Sequence, residues 1–188
     1  SPPMRHLFHH VLIPFAFLCV LIAGSPHPLL ADPAYLSPES LAVTPDGILC
    51  IAQRTANQVA LWDPQQAKLL QTIALPFPPS GVAVSSDGHT LYVTGQAKRG
   101  QVARVDLRTN QIQSRIDVGH FPCAPVLSQD EKILYVCNQY SHSISVLALT
   151  QENHSTQIPV AREPIAAALT PDGKTLVVAN HLHDMAAN

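Results

Sequence analysis

Short apolar runs, not long helical stripes, organise this chain. From about residue 39 onward they return in a fixed order, each bounded by a polar or glycine-containing turn. Leu41-Ala42-Val43-Thr44-Pro45-Asp46-Gly47 comes back as Val82-Ala83-Val84-Ser85-Ser86-Asp87-Gly88. A weaker copy is Pro125-Val126-Leu127-Ser128-Gln129-Asp130-Glu131, and a fourth is Ala167-Ala168-Leu169-Thr170-Pro171-Asp172-Gly173. The aspartates at 46, 87, 130 and 172 stand roughly 41 to 43 residues apart, a period that one four-stranded unit fills.

The other segments keep the same phase. A second run follows each turn: Leu49–Ala52, Leu91–Thr94, Leu134–Cys137 and Leu176–Ala179, too short for buried helices and rich in β-branched and aromatic residues. A third run alternates as a half-buried strand does, at 58–61, 101–104 and 143–146. The fourth occupies 72–75, 115–118 and 157–160, where Pro159 cannot donate to a ladder and so belongs on an outer edge. The pattern predicts an all-β fold: a β-propeller of four-stranded antiparallel blades. The repeats fall at about 39–80, 81–122, 123–164 and a shortened 165–188. That is about 3.5 blades, an incomplete ring, since propellers close with about four to eight. The expectation is a piece of a longer protein, whose remaining blades complete the ring; the alternative is self-association of two half-propellers.

The turns carry their own chemistry. Proline at 45 and 171 presets φ, aspartate bonds its local backbone, and glycine accepts the left-handed conformation. Glu131 replaces that glycine in the third repeat, at a cost of roughly 1 kcal/mol if the geometry is kept, so the third hairpin is expected to differ in shape.

Leu91-Tyr92-Val93-Thr94-Gly95 and Leu134-Tyr135-Val136-Cys137-Asn138, with Val102–Asp106 and Ile116–Gly119, resemble the YVTN family of β-propeller repeats. The likeness runs from about Glu39 to Asn188. Ala148 departs from it, standing where Asp63 and Asp106 end their third strands, and 50–53 is a loose first copy. The resemblance implies a propeller, with cell-surface, enzymatic and binding roles all represented among such proteins.

Ahead of the repeats lies a targeting pattern. Arg5 and nearby histidines precede the apolar run Val11–Gly24, with Met4 as the expected start. That run is short for a membrane span and suits a signal peptide at 1–31, with cleavage after Ala31 and a short lead-in at 32–38. An uncleaved membrane anchor is the alternative. Export to a periplasmic or extracellular place follows, with no stable membrane span after cleavage.

Apolar residues make up 46 % of the 188 and charged residues 13 %, which excludes a disordered or coiled-coil chain; the 17 prolines argue against long helices. A net charge of −2 without a basic block excludes nucleic acid as a partner. No cofactor is evident, because the sequence has no C-x-x-C-H run and no paired C-x-x-C.

Candidate chemistry concentrates where loops converge. If the loops before each first strand and after each second strand share one mouth, His120, Arg162, Asn138, Asn180 and His181 form a polar rim. Such a rim suits an anionic or carbonyl-bearing ligand, although solvated loop residues are the plainer reading. Phe77-Pro78-Pro79 belongs to the same loop set. His181 and His183 share a face of an extended segment, but two ligands do not make a metal site. Cys123 and Cys137 flank one hairpin and form a disulfide if the register places them on one face. Asn153-His154-Ser155 matches a glycosylation sequon. No acid–base dyad and no Ser-His-Asp or Cys-His set emerges.

The expected function is an exported, non-catalytic scaffold that binds a protein or small-molecule ligand at its mouth. The alternatives are the propeller part of a redox enzyme (haem- or quinone-linked), of a lactonase or of a lyase, and a surface-layer role.

Overall fold

A computed structural model describes residues 36–96, 98–150 and 155–181. The targeting segment, Asn153-His154 and His183 lie outside the described residues.

The repeats fold as an array of antiparallel meanders. The first blade pairs β1 (Pro38–Val43), β2 (Leu49–Gln53), β3 (Gln58–Asp63) and β4 (Lys68–Ala74) in chain order. The second pairs β5 (Pro79–Val84), β6 (Thr90–Gln96), β7 (Gly100–Asp106) and β8 (Gln111–Val118). The third pairs β9 (Pro122–Leu127), β10 (Ile133–Asn138), β11 (Ser143–Ala148) and β12 (Ser155–Pro159), with a 3-10 turn at Gln139–Ser141. A final hairpin pairs β13 (Pro164–Leu169) with β14 (Leu176–Asn180). Pro159 ends the outer edge strand, where its missing donor is tolerated. This is the propeller architecture that the period implied, and the sheets do not close into a ring.

Alternation decides which residues join the blades. The first strands β1, β5, β9 and β13 adjoin one another, so they form the inner side of the array. Along β6, Leu91 and Val93 pack with Cys50, Ala52 and Val59 of the first blade. Tyr92, on the opposite face, joins Leu134, Val136 and Leu147 of the third. Each central strand thus serves two apolar layers, as a period of two requires.

Four copies of one turn close the hairpins between first and second strands. In each, the Ser or Thr hydroxyl meets the Asp two residues on: Thr44 with Asp46, Ser85 with Asp87, Ser128 with Asp130, Thr170 with Asp172. The same hydroxyl accepts the amide that opens the next strand, from Ile48, Thr90, Ile133 and Thr175. Residues 47, 88, 131 and 173 all stand at positive φ.

The third hairpin therefore does not differ in shape, contrary to the expectation drawn from Glu131. Its φ of 55° matches the glycine conformation, and its amide makes the same bond to Ser128 O, at 2.9 Å. The side chain supplies compensation that glycine lacks: Glu131 Oε1 accepts the Ser86 amide of the neighbouring turn. Gln129 Nε2 likewise donates to the Pro171 carbonyl. The turns of successive blades are tied together through side chains that the repeat does not share.

Among the described residues the two outermost faces of the array are bare. Leu41 is 63 % exposed, while its counterpart Val82 is 7 % exposed against the preceding blade. Val177 is 58 % exposed, while its counterpart Cys50 is fully enclosed.

Candidate functional site

At the end of the blades away from these turns, one backbone bond recurs. An amide at the end of each second strand, or just after it, donates to the carbonyl of the residue before each first strand. The four copies are Arg54 to Ser37 (3.0 Å), Gln96 to Pro78 (3.3 Å), Gln139 to Phe121 (3.0 Å) and His181 to Glu163 (2.8 Å). Both loop types therefore share one mouth in every blade. The acceptor residue precedes a proline each time, and Ser37, Phe121 and Glu163 hold positive φ there. That conformation costs about 1–3 kcal/mol in a non-glycine residue and persists because the flanking ladder fixes it.

On this uniform frame sit unlike side chains. Arg54 of the first blade places its guanidinium 5.2 Å above the Phe121 ring, while its Nη1 meets Glu39 Oε1 at 3.3 Å. Phe121 packs against Tyr140 with ring centroids 4.8 Å apart, and His120 lies 5.7 Å from Tyr140. The Phe121 amide donates to Gln96 Oε1 of the second blade at 2.7 Å, and the His120 amide to Ser141 Oγ at 2.7 Å. Groups from three blades meet in one patch that offers a cation, ring faces and a half-exposed phenol. It is suited to hold a planar or carbonyl-bearing group by stacking and hydrogen bonding.

Of the residues that the sequence put forward, His120 lies in this patch. His181 pairs with Glu163 (Nδ1 to Oε2, 3.2 Å), and the Glu163 amide donates to His142 Nδ1 at 3.1 Å. Arg162 and Asn180 are exposed beside that pair in the fourth repeat. Asn138 lies inside its blade: fully buried, it donates through Nδ2 to Ser143 Oγ and Ser145 Oγ at 3.1 and 2.9 Å. Phe77 is buried too, and a side chain at Gly95 would overlap its ring. Arg54 and Tyr140 escaped the sequence reading, although both follow a second strand directly or by one residue, where the repeat prescribes nothing.

The opposite end holds a cleft of about 270 Å³, lined in part by Asp46, Leu61, His89 and Arg108. Its charges are already engaged. Arg108 Nη2 lies 3.1 Å from Asp106 Oδ2, and bonds from the Arg108 side chain and backbone hold the Asp106 carboxyl down at about 2. Among the described residues no three His, Cys, Asp or Glu side chains gather as a metal would need, and no helix is long and apolar enough to cross a membrane. The register does set Cys123 directly opposite Cys137, both as free thiols.

No family model and no curated protein matches the chain. Among solved structures it is similar to a chain of Kuenenia stuttgartiensis hydrazine synthase, at 28 % identity and a TM-score of 0.71 over 77 % of its length. It is also similar to a functionally unknown protein from Desulfotomaculum acetoxidans DSM 771, at 17 % identity and a TM-score of 0.65 over 76 % of its length. The match spans 42 % and 49 % of those two chains.

Proposed function

We propose that this chain is an exported, YVTN-type propeller scaffold at the cell envelope, binding a protein segment or small ligand through the mouth lined by Arg54, His120, Phe121 and Tyr140. Periplasmic or extracellular residence rests on the targeting pattern of residues 1–31. The observation that carries binding is the contrast within the mouth: four equal backbone bonds frame four different sets of side chains. A scaffold that repeats its frame and varies its presented groups is organised for recognition, with function on loops and rigidity beneath. On this reading Arg162, Asn180 and His181, exposed in the fourth repeat, would extend the rim, while Asn138 is buried within its blade. The bare faces at Leu41 and Val177 suit further blades of the same repeat, from a longer chain or from self-association.

The test is capture from an envelope extract by immobilised protein. A partner retained by the native chain, lost with Arg54→Ala/Tyr140→Ala, and accompanied by no turnover on hydrolase and oxidoreductase panels supports the reading. Capture indifferent to the mouth substitutions overturns it.

The hydrazine synthase likeness favours a second reading, in which these blades are the propeller portion of a larger redox enzyme. The reacting groups, haem- or quinone-linked or those of a lactonase or lyase, would then lie outside the described residues. An absorbance scan of the full native protein separates the redox form of this reading, by a cofactor band, from a scaffold without one.

A further inference from the structure

The third blade carries a pair that the other blades lack. Cys123 on β9 and Cys137 on β10 stand directly opposite in the register. Side chains so placed share a face, with Cα atoms about 4.5–5.5 Å apart, within the span that a disulfide bridges. The second blade shows how close the side-chain tips come at the corresponding places: Ser80 Oγ and Thr94 Oγ1 are 3.2 Å apart. Ser80 also donates across to the next blade, to the Pro122 carbonyl. Cys123 repeats that second contact, its Sγ lying 3.7 Å from Pro164 O and 3.9 Å from Ile165 O of β13. One side chain thus stands between a partner in its own hairpin and a carbonyl of the following one.

We propose that Cys123 and Cys137 form a redox pair, closed into a cross-strand disulfide by an oxidant that itself bears a disulfide, and that closure withdraws the Cys123 thiol from β13. The Cys123 thiolate attacks one sulfur of the oxidant, giving a mixed disulfide and releasing one thiol. The Cys137 thiolate then attacks Cys123 sulfur and releases the second thiol. Two protein thiols become one disulfide, the oxidant's disulfide becomes two thiols, and each deprotonated sulfur balances one protonated leaving group. Cys123 is half-buried and is the point of entry, whereas Cys137 is fully enclosed and serves as the resolving thiol. Burial pushes the two thiols up, to about 11 and about 12, so closure accelerates as pH rises and the thiolate fraction grows. Cys50, enclosed in the first blade and far along the chain, is the internal control. The pair stands independently of what binds at the mouth.

The experiment treats native protein with oxidised glutathione, quenches with acid, labels remaining thiols with N-ethylmaleimide in denaturant and maps the peptides. Peptides joined through Cys123 and Cys137, Cys50 labelled, and full reversal by reductant are expected. Cys137→Ser should instead accumulate the glutathione adduct on Cys123. Labelling of Cys50, Cys123 and Cys137 alike, a stable adduct on Cys123 in the native chain, or linkage through Cys50 would overturn the pairing. Hydrogen exchange on the joined form tests the coupling: faster exchange in β13 is expected, and an unchanged rate there overturns the link to the fourth repeat.

Discussion

The two ends of the blades are built on opposite plans. At the hairpin-turn end both backbone and side chains repeat, so that Thr44, Ser85, Ser128 and Thr170 each hold an aspartate and a strand-opening amide in one arrangement. At the loop end the backbone bond and the proline after its acceptor repeat, while the donor position carries Arg54, Gln96, Gln139 and His181 and the residues around it differ. Residues that recur with the period maintain the fold. Those that break it at the loop end, on a frame that does not, are the residues to which the proposed function assigns recognition.

The comparison can be broken first at the turn end. Thr44→Ala/Ser85→Ala/Ser128→Ala removes three separate hydroxyls, each net about 0.5–1.5 kcal/mol, so denaturant titration should show a loss of about 2–4 kcal/mol. A loss well below 1 kcal/mol would mean that the turns merely decorate the strands. Next, Gly95→Ala tests a loop-end position that the fold itself dictates. A Cβ there overlaps the Phe77 ring and the Pro78 carbonyl, for a destabilisation of about 1–3 kcal/mol.

Glu131 sharpens the contrast further. Glu131→Gly relieves the left-handed strain and loses the bond to Ser86, whereas Glu131→Ala loses the bond and keeps the strain. The glycine variant should be the more stable of the two by about 1 kcal/mol. Equal stabilities would show that the strain is absorbed elsewhere.

The smallest effect is that of acid. Asp106 is held at about 2 by Arg108, and Asp87, Asp130 and Asp172 are lowered by the Ser or Thr hydroxyl of their own turn. A carboxyl lowered in the fold stabilises it above its unfolded pKa, near about 4, and that contribution is lost as pH falls toward 2. The melting temperature should therefore decline through this window, less steeply in Asp106→Asn. An identical slope in that variant would remove Asp106 from the account.

The fold was legible because its determinants are local and periodic: the strand runs and the Asp-containing turns all lie within one repeat of themselves. Glu131 misled because its compensation comes from Ser86, a repeat away, which no local rule contains. Asn138 misled for a related reason. Its place after the second strand suggested a rim, but Ser143 and Ser145 turn its amide inward. Arg54 comes from the first blade and Phe121 and Tyr140 from the third, and only the array brings the cation over the Phe121 ring.

The central claim, that the turn end carries stability and the loop end carries recognition, is tested by measuring unfolding free energy and partner capture side by side in two variants. The triple turn variant should lose about 2–4 kcal/mol and retain capture below its unfolding range. Arg54→Ala/Tyr140→Ala should lose capture at a cost of about 1–2.5 kcal/mol, the sum of an exposed cation–π contact and a ring pair. Capture that tracks stability alike in both variants would contradict the division of labour.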